Sequence, residues 1–127
     1  MNLNFLILTM FAFFHVTGYS QKIEFKETKK NFGFVHEGDT VKLEYELKNV
    51  GDKPLVITNY EVECGCTAVE KVMEPVFPGK SYIIKVTFDT HEKYDRQDRS
   101  VKLISNADNS PSELRFKGVI LKPKKKN

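Results

Sequence analysis

The sequence predicts an all-β protein, an immunoglobulin-like antiparallel β-sandwich of about seven strands. Apolar and polar residues alternate at period two rather than at helical spacing. Turn residues recur at intervals of roughly 8–12 residues or somewhat more. No long amphipathic helix, internal repeat or low-complexity tract interrupts the pattern.

Residues 1–20 stand apart from that pattern. Leu3 to Phe14 is almost wholly apolar, and Gly18-Tyr19-Ser20 makes a small-x-small cleavage site before Gln21. These are the marks of a secretory signal peptide, since a bilayer span takes about 20 apolar residues. Only the amino terminus supplies positive charge ahead of the run, and no cysteine follows it for lipid attachment. The mature chain is therefore expected free in an exported compartment, periplasmic or extracellular, with no transmembrane span. It divides into one domain, 21–121, and a basic tail, 122–127.

Ile23-Glu24-Phe25 and Asn31-Phe32-Gly33-Phe34-Val35 read as two short edge pieces before the Glu37-Gly38-Asp39 turn. Val41, Leu43, Tyr45 and Leu47 then share one face of a strand whose other face is Lys42, Glu44, Glu46 and Lys48. A turn over Asn49-Val50-Gly51-Asp52-Lys53-Pro54 leads into a β-branched, apolar segment from Leu55 to Tyr60. Pro78-Gly79 turns the chain into Tyr82, Ile84, Val86 and Phe88, alternating against Lys85 and Thr87. Thr90 to Arg99 reads as a polar loop, and Val101-Lys102-Leu103-Ile104 as the next strand. After the turn-rich stretch 105–111, Leu114, Phe116, Gly118 and Ile120 form the last strand. There is no Trp, and two cysteines one residue apart cannot bridge opposite sheets, so packing of the Phe and Tyr residues must hold the sandwich together.

The charges nearly balance: 20 Lys and Arg against 17 Asp and Glu, a net +3. Lys122, Lys124, Lys125 and Lys126 more than account for the excess. A nucleic-acid binder gathers its basic residues on one folded face with aromatics between them. A lysine tail after Pro123 is a solvated end instead, and no nucleic-acid partner is expected.

Several blocks then carry a resemblance. Phe32-Gly33 with Glu37-Gly38, Lys48-Asn49-Val50-Gly51-Asp52-Lys53-Pro54-Leu55-Val56-Ile57 and Cys64-Gly65-Cys66-Thr67 come in that order. Phe77-Pro78-Gly79-Lys80, Val86-Thr87-Phe88-Asp89, Ser105-Asn106 and Lys117-Gly118 follow. Together they resemble a bacterial family known as domain of unknown function 1573, an immunoglobulin-like sandwich related to Hydin-type domains. The resemblance covers essentially all of 21–127, and its most specific element is the Cys-Gly-Cys-Thr block. It implies an exported envelope protein and no established activity. Two places depart from the family pattern: Glu63 stands where a small polar residue is expected, and the Glu92-Lys93-Tyr94-Asp95-Arg96 loop lacks a glycine.

Cys64 and Cys66 concentrate the chemistry. In an extended strand Tyr60, Val62, Cys64 and Cys66 share one face, and the two cysteine Cα atoms stand about 6.6 Å apart. A disulfide between them then needs a kink, which Gly65 can supply through positive φ or a bulge. Four readings stay open. The pair is structural, as buried thiols or a short-range disulfide; or it is part of a soft-metal site, copper being the alternative cofactor. Otherwise it exchanges with other thiols, or it bonds to a second molecule. His36, His91 and Met73 are the only candidates to complete a metal site, none at a recognised ligand spacing. Glu61 and Glu63 beside the pair would raise a thiol pKa and disfavour a reactive nucleophile. No catalytic residue and no cofactor-binding loop is found, so no enzyme is expected. The expectation is a non-enzymatic bacterial envelope module that binds or scaffolds an envelope protein or other cell-surface component. A copper-binding or thiol-redox protein using Cys64 and Cys66 is the alternative.

Overall fold

The structure, a computed structural model, describes residues 21–123. The expected signal peptide, and all of the tail beyond Pro123, lie outside the described residues.

Eight strands build two sheets: β1 (Ile23–Phe25), β2 (Lys29–His36), β3 (Thr40–Asn49), β4 (Ile57–Val62), β5 (Thr67–Val69), β6 (Ser81–Asp89), β7 (Asp95–Ser105) and β8 (Ser112–Leu121). The first sheet runs β1-β3-β6-β5 and the second β2-β8-β7-β4. Every neighbour pair is antiparallel except β2 with β8, which is parallel. The chain changes sheet between β1 and β2, and this lays an early strand beside the last one.

The alternation of β3 is the clearest case of sequence dictating structure. Val41, Leu43, Tyr45, Leu47 and Asn49 are buried, and the residues between them are exposed. They face Ile84, Val86 and Phe88 of β6 within their own sheet, and Val101, Leu103, Leu114, Phe116 and Ile120 across the sandwich. The Phe88 and Phe116 rings lie 5.3 Å apart in a tilted pair. Phe32 completes the cluster at 6.0 Å and 6.4 Å from them. Its ring covers Gly118, where any Cβ would overlap it. The Phe-Gly and Lys-Gly blocks of the sequence are thus two halves of one packing contact.

Three segments differ from expectation. Residues 95–99 belong to β7 rather than to a loop, and Thr67–Val69 adds a three-residue strand paired with Val86–Phe88. Asp95 to Arg99 is polar on both faces, so it carries no period-two signal although its backbone pairs fully with β8. Leu55 makes only an isolated bridge to Val76, and β4 itself begins at Ile57.

The two sheets are tied by more than apolar contact. The Tyr45 hydroxyl on β3 donates to the Arg115 carbonyl of β8 at 2.8 Å, crossing from the first sheet to the second. On the opposite side Tyr60 of β4 donates to the Glu70 carbonyl at 3.2 Å and accepts from the Val72 N–H at 3.0 Å. These hydroxyls connect the sheets at positions no cysteine could reach. Burial, and then the carboxylate of Glu27, push the Tyr45 hydroxyl well above the ordinary tyrosine value.

Asn49 anchors the far end of the sandwich. Its side-chain amide donates to the carbonyls of Lys53 and Val76, both at 2.8 Å, and its Oδ1 accepts from the Gly51 N–H at 3.0 Å. Its own N–H donates to the Lys80 carbonyl, and its carbonyl accepts from the Gly79 N–H. One buried residue therefore holds the β3–β4 turn to the β5–β6 connection.

In β2 the register with β8 slips by one residue between Asn31 and Gly33. Gly33 takes φ +74°, and its N–H is held by the Asn31 side chain at 2.8 Å. The extra residue reverses the alternation, so Phe32 and Val35 pack on the core while Phe34 points out and is 74 % exposed.

Two predictions follow from these ties. Asn49→Ala removes three hydrogen bonds made by a fully buried side chain and should lower unfolding free energy by about 3 kcal/mol, read from urea titration at neutral pH. Tyr45 ionises in the unfolded chain from about pH 10 but stays protonated in the fold, so stability is full below that pH and falls as pH rises above it. Urea titrations between pH 8 and pH 11 should show a shallower fall for Tyr45→Phe, which starts about 1 kcal/mol less stable.

Candidate functional site

The turn joining β4 to β5 carries both cysteines at one end of the sandwich. The strand does not stay extended as far as Cys66: β4 ends at Val62, and the Thr67 N–H closes a turn on the Cys64 carbonyl at 3.2 Å. The turn brings the cysteine Cα atoms to 5.2 Å, and the two sulfurs are bonded to each other. Gly65 is not among the positive-φ residues, and a Cβ there would meet nothing within 4 Å. The kink is an ordinary turn and does not draw on glycine's special freedom. The shared apolar face is also broken, because Val62 is 39 % exposed while Cys66 packs against the core.

The surroundings fix this turn from both sheets. The Asp89 N–H donates to the Cys66 carbonyl at 2.8 Å, and the Ser100 hydroxyl donates to the Glu63 carboxylate at 2.7 Å. Glu63 thus has a partner that a small residue could not reach. Next along β7, the Arg99 guanidinium lies over the Phe88 ring at 6.0 Å and donates to the Gln97 side chain at 2.8 Å. Its Nε is buried without a partner among the described residues.

The β6–β7 turn borders the same end. Thr90 is fully buried, and its hydroxyl donates to the Asp39 carbonyl at 2.6 Å, which ties this turn to the β2–β3 turn. Glu92 and Asp95 adopt left-handed backbone at φ 59° and 70°, in the loop that lacks a glycine. Each such residue is strained by roughly 1–2 kcal/mol, less for Asp. The Glu92 N–H is held in place by the Glu37 carboxylate at 2.9 Å.

The candidate metal ligands do not converge. His91 Nδ1 meets Asp89 Oδ1 at 2.6 Å on the surface, and this bond raises the histidine pKa. The His91 N–H, and then its ring, lower that of Asp89. His36 ends β2, its N–H held by Asp39 at 3.0 Å. Met73 lies on the β5–β6 connection, which runs away from Cys66 toward the Asn49 end. No group of three or more His, Cys, Asp or Glu that could hold a metal occurs among the described residues. As a disulfide, Cys64 and Cys66 offer no thiolate, so the metal reading of this pair concerns the reduced form alone.

A second site lies on the outer face of the second sheet, where the sequence drew no attention. Two hollows of about 430 Å³ and 290 Å³ share Asn31, Asp98 and Lys117 and form one trough over β8. Phe34 and Val119, partners in the β2–β8 register, line one end. Lys29 and Arg115 line the other. Arg115 holds both carboxylates nearby, Asp98 at 2.9 Å and Glu113 at 2.8 Å. The signal that could have found Phe34 is Gly33 itself, since a glycine inside a strand pattern marks a bulge.

The disulfide closes a very short loop and so restrains the unfolded chain little. The Cys64→Ser/Cys66→Ser double variant should keep the fold and lose only about 1–2 kcal/mol in urea titration. Intact mass of the unreduced wild type should be two hydrogens below that of the reduced form.

The fold has relatives among solved structures. A protein of unknown function from Porphyromonas gingivalis W83 superposes with a TM-score of 0.68 at 20 % identity, over 80 % of this chain and 47 % of that one. This chain therefore spans about half the length of that relative. The seventh PapD-like domain of human CEP192 superposes at 0.62 with 12 % identity, over 83 % of this chain and 89 % of that one. The Vibrio cholerae VesB protease follows at 0.54 and 15 %, over 81 % of this chain and 32 % of that one. No curated protein matches the sequence. At these identities the likenesses establish the fold alone, the immunoglobulin-like sandwich. Residues 23–120 match the family described as "Protein of unknown function (DUF1573)", and the chain belongs to that family.

Proposed function

We propose that this protein is a non-enzymatic module of the bacterial envelope, exported through cleavage after Ser20, which binds or scaffolds another envelope component. The observation that carries the binding role is Phe34. A Phe side chain 74 % exposed on a folded face, held outward by a bulge and bordered by half-buried Val119, is an anchor without a partner. The export half rests on the apolar run and cleavage site of residues 1–20.

Thiol chemistry is the second reading, favoured by the half-exposed Cys64–Cys66 bond in an end turn. A short, half-exposed disulfide of this kind is among the more readily reduced. The two readings place function at opposite edges of the second sheet, on β2 and just after β4, so one experiment separates them.

A photo-crosslinking phenylalanine analogue at position 34 should yield a discrete protein adduct in the envelope fraction, on a chain beginning at Gln21. The same analogue at Ile83, exposed on the outer face of the first sheet, should yield none. The adduct should persist in the Cys64→Ser/Cys66→Ser background. Its loss there would transfer the function to the thiol pair, and its absence in the wild type would remove the binding role.

A further inference from the structure

We infer that the trough over β8 recognises an acidic, extended segment of a protein partner, seating an apolar side chain against Phe34 and a carboxylate at Lys117. This inference rests on the binding reading above and specifies its partner. The charge pattern carries it. Arg115 occupies the two carboxylates beside the trough, Asp98 and Glu113. Lys29, Arg96 and Lys117 line the trough and take part in no ion pair among the described residues. The face thus presents unanswered positive charge beside one large apolar side chain, and the complement of that surface is acidic and apolar.

Register sets the spacing of the partner. Lys117 and Val119 stand two residues apart on β8, both on the outer face, which is about 7 Å along a strand. Val119 pairs with Phe34, and Lys117 pairs with Asn31. An extended ligand matches this with an apolar residue and an acidic residue at positions i and i+2. The hollow beside Phe34 has room, at about 430 Å³, for an inserted side chain.

An anionic bilayer fits less well. A flat surface cannot send a side chain into the hollow beside Phe34, and the Asp98 carboxylate lines that hollow. Lipid is accordingly an outcome of the test and not the proposal.

The test uses the mature protein, isotopically labelled, and the probe peptide acetyl-Ser-Glu-Ser-Phe-Ser-Glu-Ser-amide. Its residue order is the same read from either end, so a Glu lies two residues from the Phe in either direction. Amide shifts should move on β2 and β8 around Phe34, Lys117 and Val119, and weaken with added salt. Replacing both Glu of the peptide by Gln, or using Phe34→Ala or Lys117→Glu protein, should each weaken binding about tenfold. Both positions are exposed, so unchanged melting temperatures are the control for folding. Equal binding of the Gln peptide would overturn the acidic preference. Binding of phosphatidylglycerol vesicles without binding of the peptide would overturn it in favour of a membrane surface. If the peptide fails while the position-34 adduct forms, the binding reading stands and this inference falls. If neither is seen, both fall.

Discussion

A buried amide, Asn49, is the constraint on which the rest of the sandwich depends. It sits at the end of the most regular strand, with its polar groups directed at the backbone of two loops. An unpaired amide in the core is costly, so these loops cannot leave Asn49 without stranding its side chain. Leu55 and Val76, both buried, sit directly beneath that network and bridge to each other. The Asn-x-Gly-Asp-x-Pro-Leu block is thus less a turn than an anchoring point for two connections, with Gly51 and Lys53 each supplying a backbone partner.

The two tyrosine hydroxyls do related work across the sandwich. Tyr45 joins the sheets on the side where β2 and β8 pair, and Tyr60 on the side where β4 and β5 form the free edges. Between them lies the Phe32–Phe88–Phe116 cluster, an apolar filling with no direction of its own. Dispersion and burial supply most of the stabilisation, while the hydroxyls and the amide fix which geometry that stabilisation selects.

Much of this was legible. The period-two pattern located the inner faces of β3 and β6, and the Pro-Gly and Asn-x-Gly-Asp turns located the chain reversals. What escaped did so for physical reasons. Residues 95–99 carry polar side chains on both faces, so only backbone pairing identifies them as strand. A three-residue β5 is too short to show a period. Phe32 and Phe34 share a face in a regular strand, and only the slip at Gly33 separates them into a core residue and an exposed anchor. The cysteines drew attention through their chemistry, and their turn proved simpler than glycine's presence implied. The trough drew none, because its charges are scattered along the chain and meet only when β2, β7 and β8 lie side by side.

The parallel pairing of β2 with β8 bears on how the molecule comes into being. Lys29–His36 finds its hydrogen-bonding partner only in Arg115–Leu121, in the last strand of the domain. Until then β2 has no neighbour, β7 lacks one of its two, and the second sheet cannot assemble. The loop to be closed spans most of the domain, so this topology belongs with the slower, non-local folders. The first sheet has all its strands by Asp89, whereas the second is complete only when β8 joins β2 to β7.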